Sequence, residues 1–135
     1  MDNTKYILEL DVKQAKLLAG ICEKYARLRM GQWQELIGMC IDYNREDYFD
    51  AAAECKEALL NARKFAYPEL HGEGHSYGVG KFTDGDMAWE IYEVLRNKIA
   101  WTEHPEGGIG VCFDKPMCFS GHSLAKCDVK KSTEE

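Results

Sequence analysis

TDGDMAWEIYEVLRNKIAW, residues 83–101, is the stretch on which the fold turns. Thr83 and Asp86 stand at capping-box spacing, which predicts a helix start there and a run to about Trp101. Ala88, Ile91, Leu95 and Ile99 recur at helical intervals and supply one apolar face. Trp89, Tyr92 and Arg96 form a second stripe beside it, so the apolar arc is wider than a surface helix needs. Such a helix is either central in the fold or shared with a partner, and the second option predicts a homo-oligomer.

Upstream, the pattern predicts three more helices. Asp11 with Gln14 is a capping-box variant opening a helix whose expected buried face is Ala15, Leu18, Ile21, Tyr25 and Leu28. Gly31 is a possible break before a segment that repeats the pattern through Trp33, Leu36, Ile37, Cys40 and Ile41. The polar run Asp42–Asp47 separates this pair from a helix over about Asp47–Ala66, with Phe49, Ala52, Leu59, Leu60 and Phe65 as its apolar positions. Pro68 ends that helix, because the residue before a proline is pushed out of the helical region.

Three segments read as extended. Tyr6–Leu10 (YILEL) and residues 109–114 (IGVCFD) alternate like strands, and residues 124–129 (LAKCDV) either pair back as a further strand or lie as an ordered tail. The expected fold class is therefore α+β and mostly helical: about four helices with a two- to three-stranded antiparallel sheet. Residues 1–135 form one domain, with a flexible tail at 129–135.

The totals set outer limits. The 135 residues are enough for one core, and 45% hydrophobic with 30% charged residues is a globular composition. A net charge of −6 argues against a DNA or RNA polymer as partner. No apolar run approaches the roughly 20 residues of a membrane span, and no secretory signal opens the chain, so a cytoplasmic location is expected. The six cysteines are then expected as thiols. No pair has the C-x-x-C spacing of structural zinc, so neither metal nor cofactor is called for.

Between the third and fourth helices lies HGEGHSYGVGKFTDGD, residues 71–86, with five glycines. Gly74, Gly80 and Lys81 approach a phosphate-binding P-loop, but the spacing is off by one and Phe82 follows the lysine. His71 and His75 have the spacing of a helical zinc pair, yet glycines interrupt them and no glutamate takes the required place. Cys112 or Cys118 with His104 or His122 would suit nucleophilic catalysis only if folding brought them together. Tyr77, Lys81, Trp89, Tyr92, Arg96, Trp101 and His104 are the residue types that stack a base and hold phosphate. A pocket under the loop would use His71, His75, Tyr77, Lys81, Trp89, Arg96 and Trp101 for a small nucleotide-like ligand. Taken singly, the aromatic residues are core and the loop is a connection.

From residues 86–101 through HPEGGIGVCFDKP, residues 104–116, the chain resembles small accessory proteins of bacteriophages and prophages of Firmicutes. The likeness is carried by Asp86, Ala88, Trp89, Ile91, Tyr92, Arg96, Ala100 and Trp101, then by Pro105, Glu106, Gly107, Gly108, Val111, Phe113, Asp114 and Pro116. A weaker likeness lies in ARLRMGQWQEL, residues 26–36. The resemblance covers about half of the chain and implies a phage-encoded binding protein in the host cytoplasm. It would sequester a nucleotide-derived immune signal as a non-enzymatic sponge. Alternatives are a module inhibiting a host or defence protein through the Trp89–Tyr92 stripe, and a small phosphodiester-cleaving enzyme.

Overall fold

A computed structural model describes residues 2–131, and its elements are helices. These are α1 (Val12–Met30), α2 (Ile37–Cys40), α3 (Tyr48–Ala66) and α4 (Thr83–Glu103), with 3₁₀ turns at Trp33–Leu36 and Val111–Phe113. The capping box of α1 forms: Gln14 N–H donates to Asp11 Oδ1 at 2.8 Å, and Asp11 N–H donates to Gln14 Oε1 at 3.0 Å. Gly31 closes α1 in the left-handed region at φ 87°, and its N–H is satisfied by Arg27 and Leu28 carbonyls. The first helical region is thus two helices joined by a turn.

α1 and α4 are the central pair, while α3 packs on the Trp33–Cys40 segment. Every residue of α4 from Gly85 to Ala100 is buried or half-buried, so this helix is central within one chain. Its wide arc is covered intramolecularly, which removes the ground on which a homo-oligomer was expected.

α1 meets α4 through small residues. Ala19, Ala26 and Met30 are its buried positions, and Ala15 lies beside them. Of the expected face, Ala15, Leu18 and Leu28 are half-buried, whereas Ile21 and Tyr25 turn outward. Ile21 is 49% exposed and Tyr25 41%, and Leu17 on the same outer side is 65% exposed. The inversion has a steric cause, since alanines and a glycine admit a closer helix approach than leucines do. At Gly85 a Cβ would stand 2.8 Å from Arg29 Cβ and 3.3 Å from its Cγ. Gly85→Ala is therefore expected to cost about 1 kcal/mol or more in a denaturant midpoint, overpacking outweighing the gain of about 1 kcal/mol in helix propensity.

The predicted sheet does not form: there is no strand among the described residues. Tyr6–Leu10 is irregular and unpaired, residues 109–114 contain the Val111–Phe113 turn, and residues 124–129 are irregular. The reason lies on α4. Glu90, Glu93, Asn97 and Trp101 make one stripe at three- and four-residue intervals, and they take the backbone groups that a ladder would have used. Trp101 Nε1 donates to Phe113 O at 3.1 Å, and Asn97 Nδ2 donates to the carbonyls of Cys112 and Asp114 at 3.1 and 2.9 Å. Met117 N–H donates to Glu93 at 3.1 Å, and Phe119 and Ser120 N–H donate to Glu90 at 2.8 and 2.7 Å. Residues 111–120 are a strap clasped by helix side chains.

The start of α4 differs in detail from the expected capping box. Phe82 is the N-cap and offers no side-chain cap, while Asp86 turns back and accepts Gly80 N–H with both oxygens, at 2.9 and 3.1 Å. Asp84 accepts from the Tyr25 hydroxyl and from Arg29 Nε, tying α4 to α1. Of the tail expected at 129–135, residues 129–131 are exposed and irregular, and 132–135 lie outside the described residues. No helix is long and apolar enough to cross a membrane among the described residues.

Candidate functional site

The loop after α3 is organised by one side chain. Arg63, in the last turns of α3, is only 3% exposed. Its Nη1 donates to Gly31 O at 2.8 Å and His75 O at 3.0 Å, and its Nη2 donates to Gly72 O. The guanidinium therefore joins α3, the end of α1 and the glycine-rich loop. No carboxylate pairs with it among the described residues, and its Nε is buried without a partner.

Beyond this strut the loop runs into an aromatic cluster. Tyr67 packs on Tyr77 at 5.3 Å, Tyr77 on Phe82 at 5.8 Å and Trp33 on Tyr67 at 5.9 Å between ring centroids. Tyr77 N–H donates to Met30 O at 2.8 Å, so this part of the loop is sewn to the end of α1. Arg29 lies over Phe82 at 4.0 Å, and Lys81 Nζ lies over Tyr77 at 5.1 Å. Tyr77 is consequently a packing residue, with its ring engaged by Tyr67, Phe82 and Lys81.

The seven residues expected in one pocket fall in three places. His71, His75, Tyr77 and Lys81 follow one another along the loop; His71 N–H donates to His75 Nδ1 at 2.9 Å, which leaves the neutral imidazole's proton on Nε2. Trp89 and Arg96 lie on the α1 side of α4. Trp89 meets Tyr92 edge-on at 5.1 Å beneath Arg27, and Arg96 lies over Tyr92 at 4.7 Å. Trp101 sits at the far end of α4, against Phe113 at 5.3 Å. Among the described residues no hydrogen bond, ring contact or cation–π contact joins the three groups. The Trp89–Tyr92 stripe is also half-buried, so it is no exposed docking face.

Two grooves remain. One, of about 410 Å³ between α1 and α4, holds Arg96 and Tyr92 with Lys16, Glu23, Glu103 and His104. Lys16 pairs there with Glu103 at 3.0 Å and Glu23 with Arg27 at 3.0 Å, while Arg96 donates to the Tyr92 hydroxyl at 3.2 Å and its buried Nε has no partner among the described residues. The other, of about 800 Å³, lies between α3 and residues 68–73 and is lined by Lys56, Arg63, Lys64, His71, Leu60 and Leu70, among others.

Reactive pairing is sparse. Cys118 Sγ donates to the His122 carbonyl at 2.9 Å, which engages the backbone and not the imidazole. Burial pushes the Cys22 and Cys127 thiols up, away from the reactive thiolate. The most elaborated carboxylate is Glu90, 3% exposed, whose oxygens also accept the Ser120 hydroxyl at 2.7 Å. Burial opposes its charge, but the N–H of Phe119, the hydroxyl and the N–H of Ser120 outweigh that and hold its carboxyl below the usual range. It is a clasp for the strap.

Arg63 and Glu90 are the two residues that motif spacing does not flag. Their signal is positional: each is a charged residue on a stripe that buries, Arg63 in line with Ala52 and Leu59, Glu90 within the wide arc of α4. No protein-family model, curated protein or solved structure matches the chain.

Proposed function

We propose that the chain is a non-enzymatic docking module that completes its burial on another protein. The observation that carries this is surface. The accessible area is 10,092 Å², against about 7,200 Å² for a compact monomer of this mass. That excess is larger than the roughly 800 Å² each partner gives to a standard interface. One apolar part of it runs from the arm Tyr6–Leu8 (Tyr6 96%, Ile7 93% exposed) through Val12, Leu17 and Ile21, while other exposed apolar residues such as Phe49 and Phe65 are scattered over α3. In the arm, no backbone hydrogen bond reaches residues 5–10 among the described residues, which leaves its amides open to a partner.

This reading agrees with the resemblance to phage accessory proteins, whose small members act by binding. A host or defence protein in the host cytoplasm is the partner class. The docking face shifts from Trp89–Tyr92 to the arm and the outer stripe of α1.

Leu17→Lys combined with Ile21→Lys tests it. The pair should leave thermal stability within about 0.5 kcal/mol of wild type, as for exposed positions. Affinity for a protein captured by the wild-type chain should fall at least about thirtyfold. Unchanged capture, or a fold that loses several kcal/mol, would refute the assignment.

A further inference from the structure

We infer that the groove between α3 and residues 68–73 is a binding site for a small molecule bearing a phosphate group. It is separate from the protein-docking face, and three features of the chain point to it.

The first is the charge at its base. Arg63 is only 3% exposed, its Nε has no partner, and no carboxylate neutralises it among the described residues. A buried cation costs several kcal/mol unless it is compensated. Carbonyl oxygens of Gly31, Gly72 and His75 supply part of that compensation through dipoles. The Nη atoms are engaged and Nε is sealed, so an anion in the groove would add to this through the charge and not through a direct hydrogen bond.

The second is local charge in an acidic chain. The net charge is −6 overall, yet this groove gathers Lys56, Arg63 and Lys64 with His71 against Glu57 and Glu73. Lys56 and Glu73 neutralise one another at 2.7 Å. Lys64 stays exposed at the rim, and none of the ion pairs among the described residues uses it. An oxyanion entering here meets Lys64 and His71 at the rim with the Arg63 charge below.

The third is shape. A volume of about 800 Å³ lies in the range of small-molecule sites, roughly 300–1,000 Å³. Leu60, Pro68 and Leu70 give it an apolar wall for the body that carries the phosphate. Inorganic phosphate fits the charge but leaves this wall uncovered, so an organic phosphomonoester is the better match.

The test is calorimetric titration of the full chain with AMP, inorganic phosphate and adenosine. AMP is expected to bind with Kd below about 1 mM, inorganic phosphate more weakly and adenosine not measurably. Lys64→Glu, an exposed change, should weaken AMP at least about tenfold with its melting temperature unchanged. His71→Ala should weaken it severalfold. Absence of AMP binding at millimolar concentration overturns the site. So does adenosine binding as tightly as AMP, or Lys64→Glu binding AMP like wild type. Either way the protein-docking variants Leu17→Lys and Ile21→Lys should bind AMP as wild type does, so the two readings fail separately.

Discussion

Arg63→Leu is expected to destabilise the chain by about 3 kcal/mol, since a hydrogen-bonded buried charge is lost and its acceptors are stranded. The leucine fills part of the volume and removes the desolvation cost of the guanidinium. It cannot satisfy the carbonyls of Gly31 and His75, while Gly72 O keeps only the long bond from His75 N–H at 3.4 Å. At this chain length the loss corresponds to a fall of about 10 °C in melting temperature. Amide exchange should quicken first at residues 70–80, where Tyr77 N–H is held by Met30 O. Arg63→Lys keeps the charge but not the planar fork that reaches three acceptors, so it should recover less than half of the loss. A change below about 1 kcal/mol for Arg63→Leu would show that the aromatic cluster alone holds the loop.

Glu90→Gln is expected to cost about 2 kcal/mol at neutral pH, the range for hydrogen bonds to a charged acceptor. The carboxylate accepts from Phe119 N–H, Ser120 N–H and the Ser120 hydroxyl, whereas the amide turns one oxygen into a donor facing donors. The wild-type dependence on acid follows from the lowered carboxyl. The clasp is fully present above the unfolded glutamate value of about 4.3, and it is lost as pH falls through the lower folded-state value. Amide exchange of residues 117–122, corrected for intrinsic rates, should therefore rise below about pH 4. In Glu90→Gln the same amides should be labile at every pH. A strap that loosens with acid equally in both proteins would assign the transition to another group.

The helices were legible because their signals are local. Asp11 with Gln14, Gly31, Pro68 and the periodicity of residues 83–101 place every long helix within about two residues of its observed bounds. The extended segments were misread for a physical reason. Alternation in residues 109–114 is present, but the backbone partners are Asn97 and Trp101 on a helix, and sequence pattern does not say whose donors meet whose acceptors.

The inverted face of α1 has a similar origin. Leu17, Ile21 and Tyr25 form the louder, exposed stripe, while Ala19, Ala26 and Met30 form the quieter one that meets α4, and Ala15, Leu18 and Leu28 are half-buried. Hydrophobicity ranks the first stripe higher, whereas close approach at Gly85 selects the second. The outer stripe left without a cover is what motivates the docking proposal. Of the expected site, His71 lines the α3 groove, and Arg96 lines the groove beside α1 together with Tyr92 and His104 of the wider aromatic and cationic set. Tyr77 is consumed by packing, and Trp101 holds the strap.

Hydrogen exchange on the chain alone and with a captured protein tests the central claim most directly. Alone, residues 5–10 should exchange at the rate of unstructured peptide, because their amides have no acceptor. With the protein bound, protection should appear at residues 5–10 and extend into the first half of α1. Protection confined to residues outside 5–25, or none at all, would contradict docking through the arm and the outer stripe of α1.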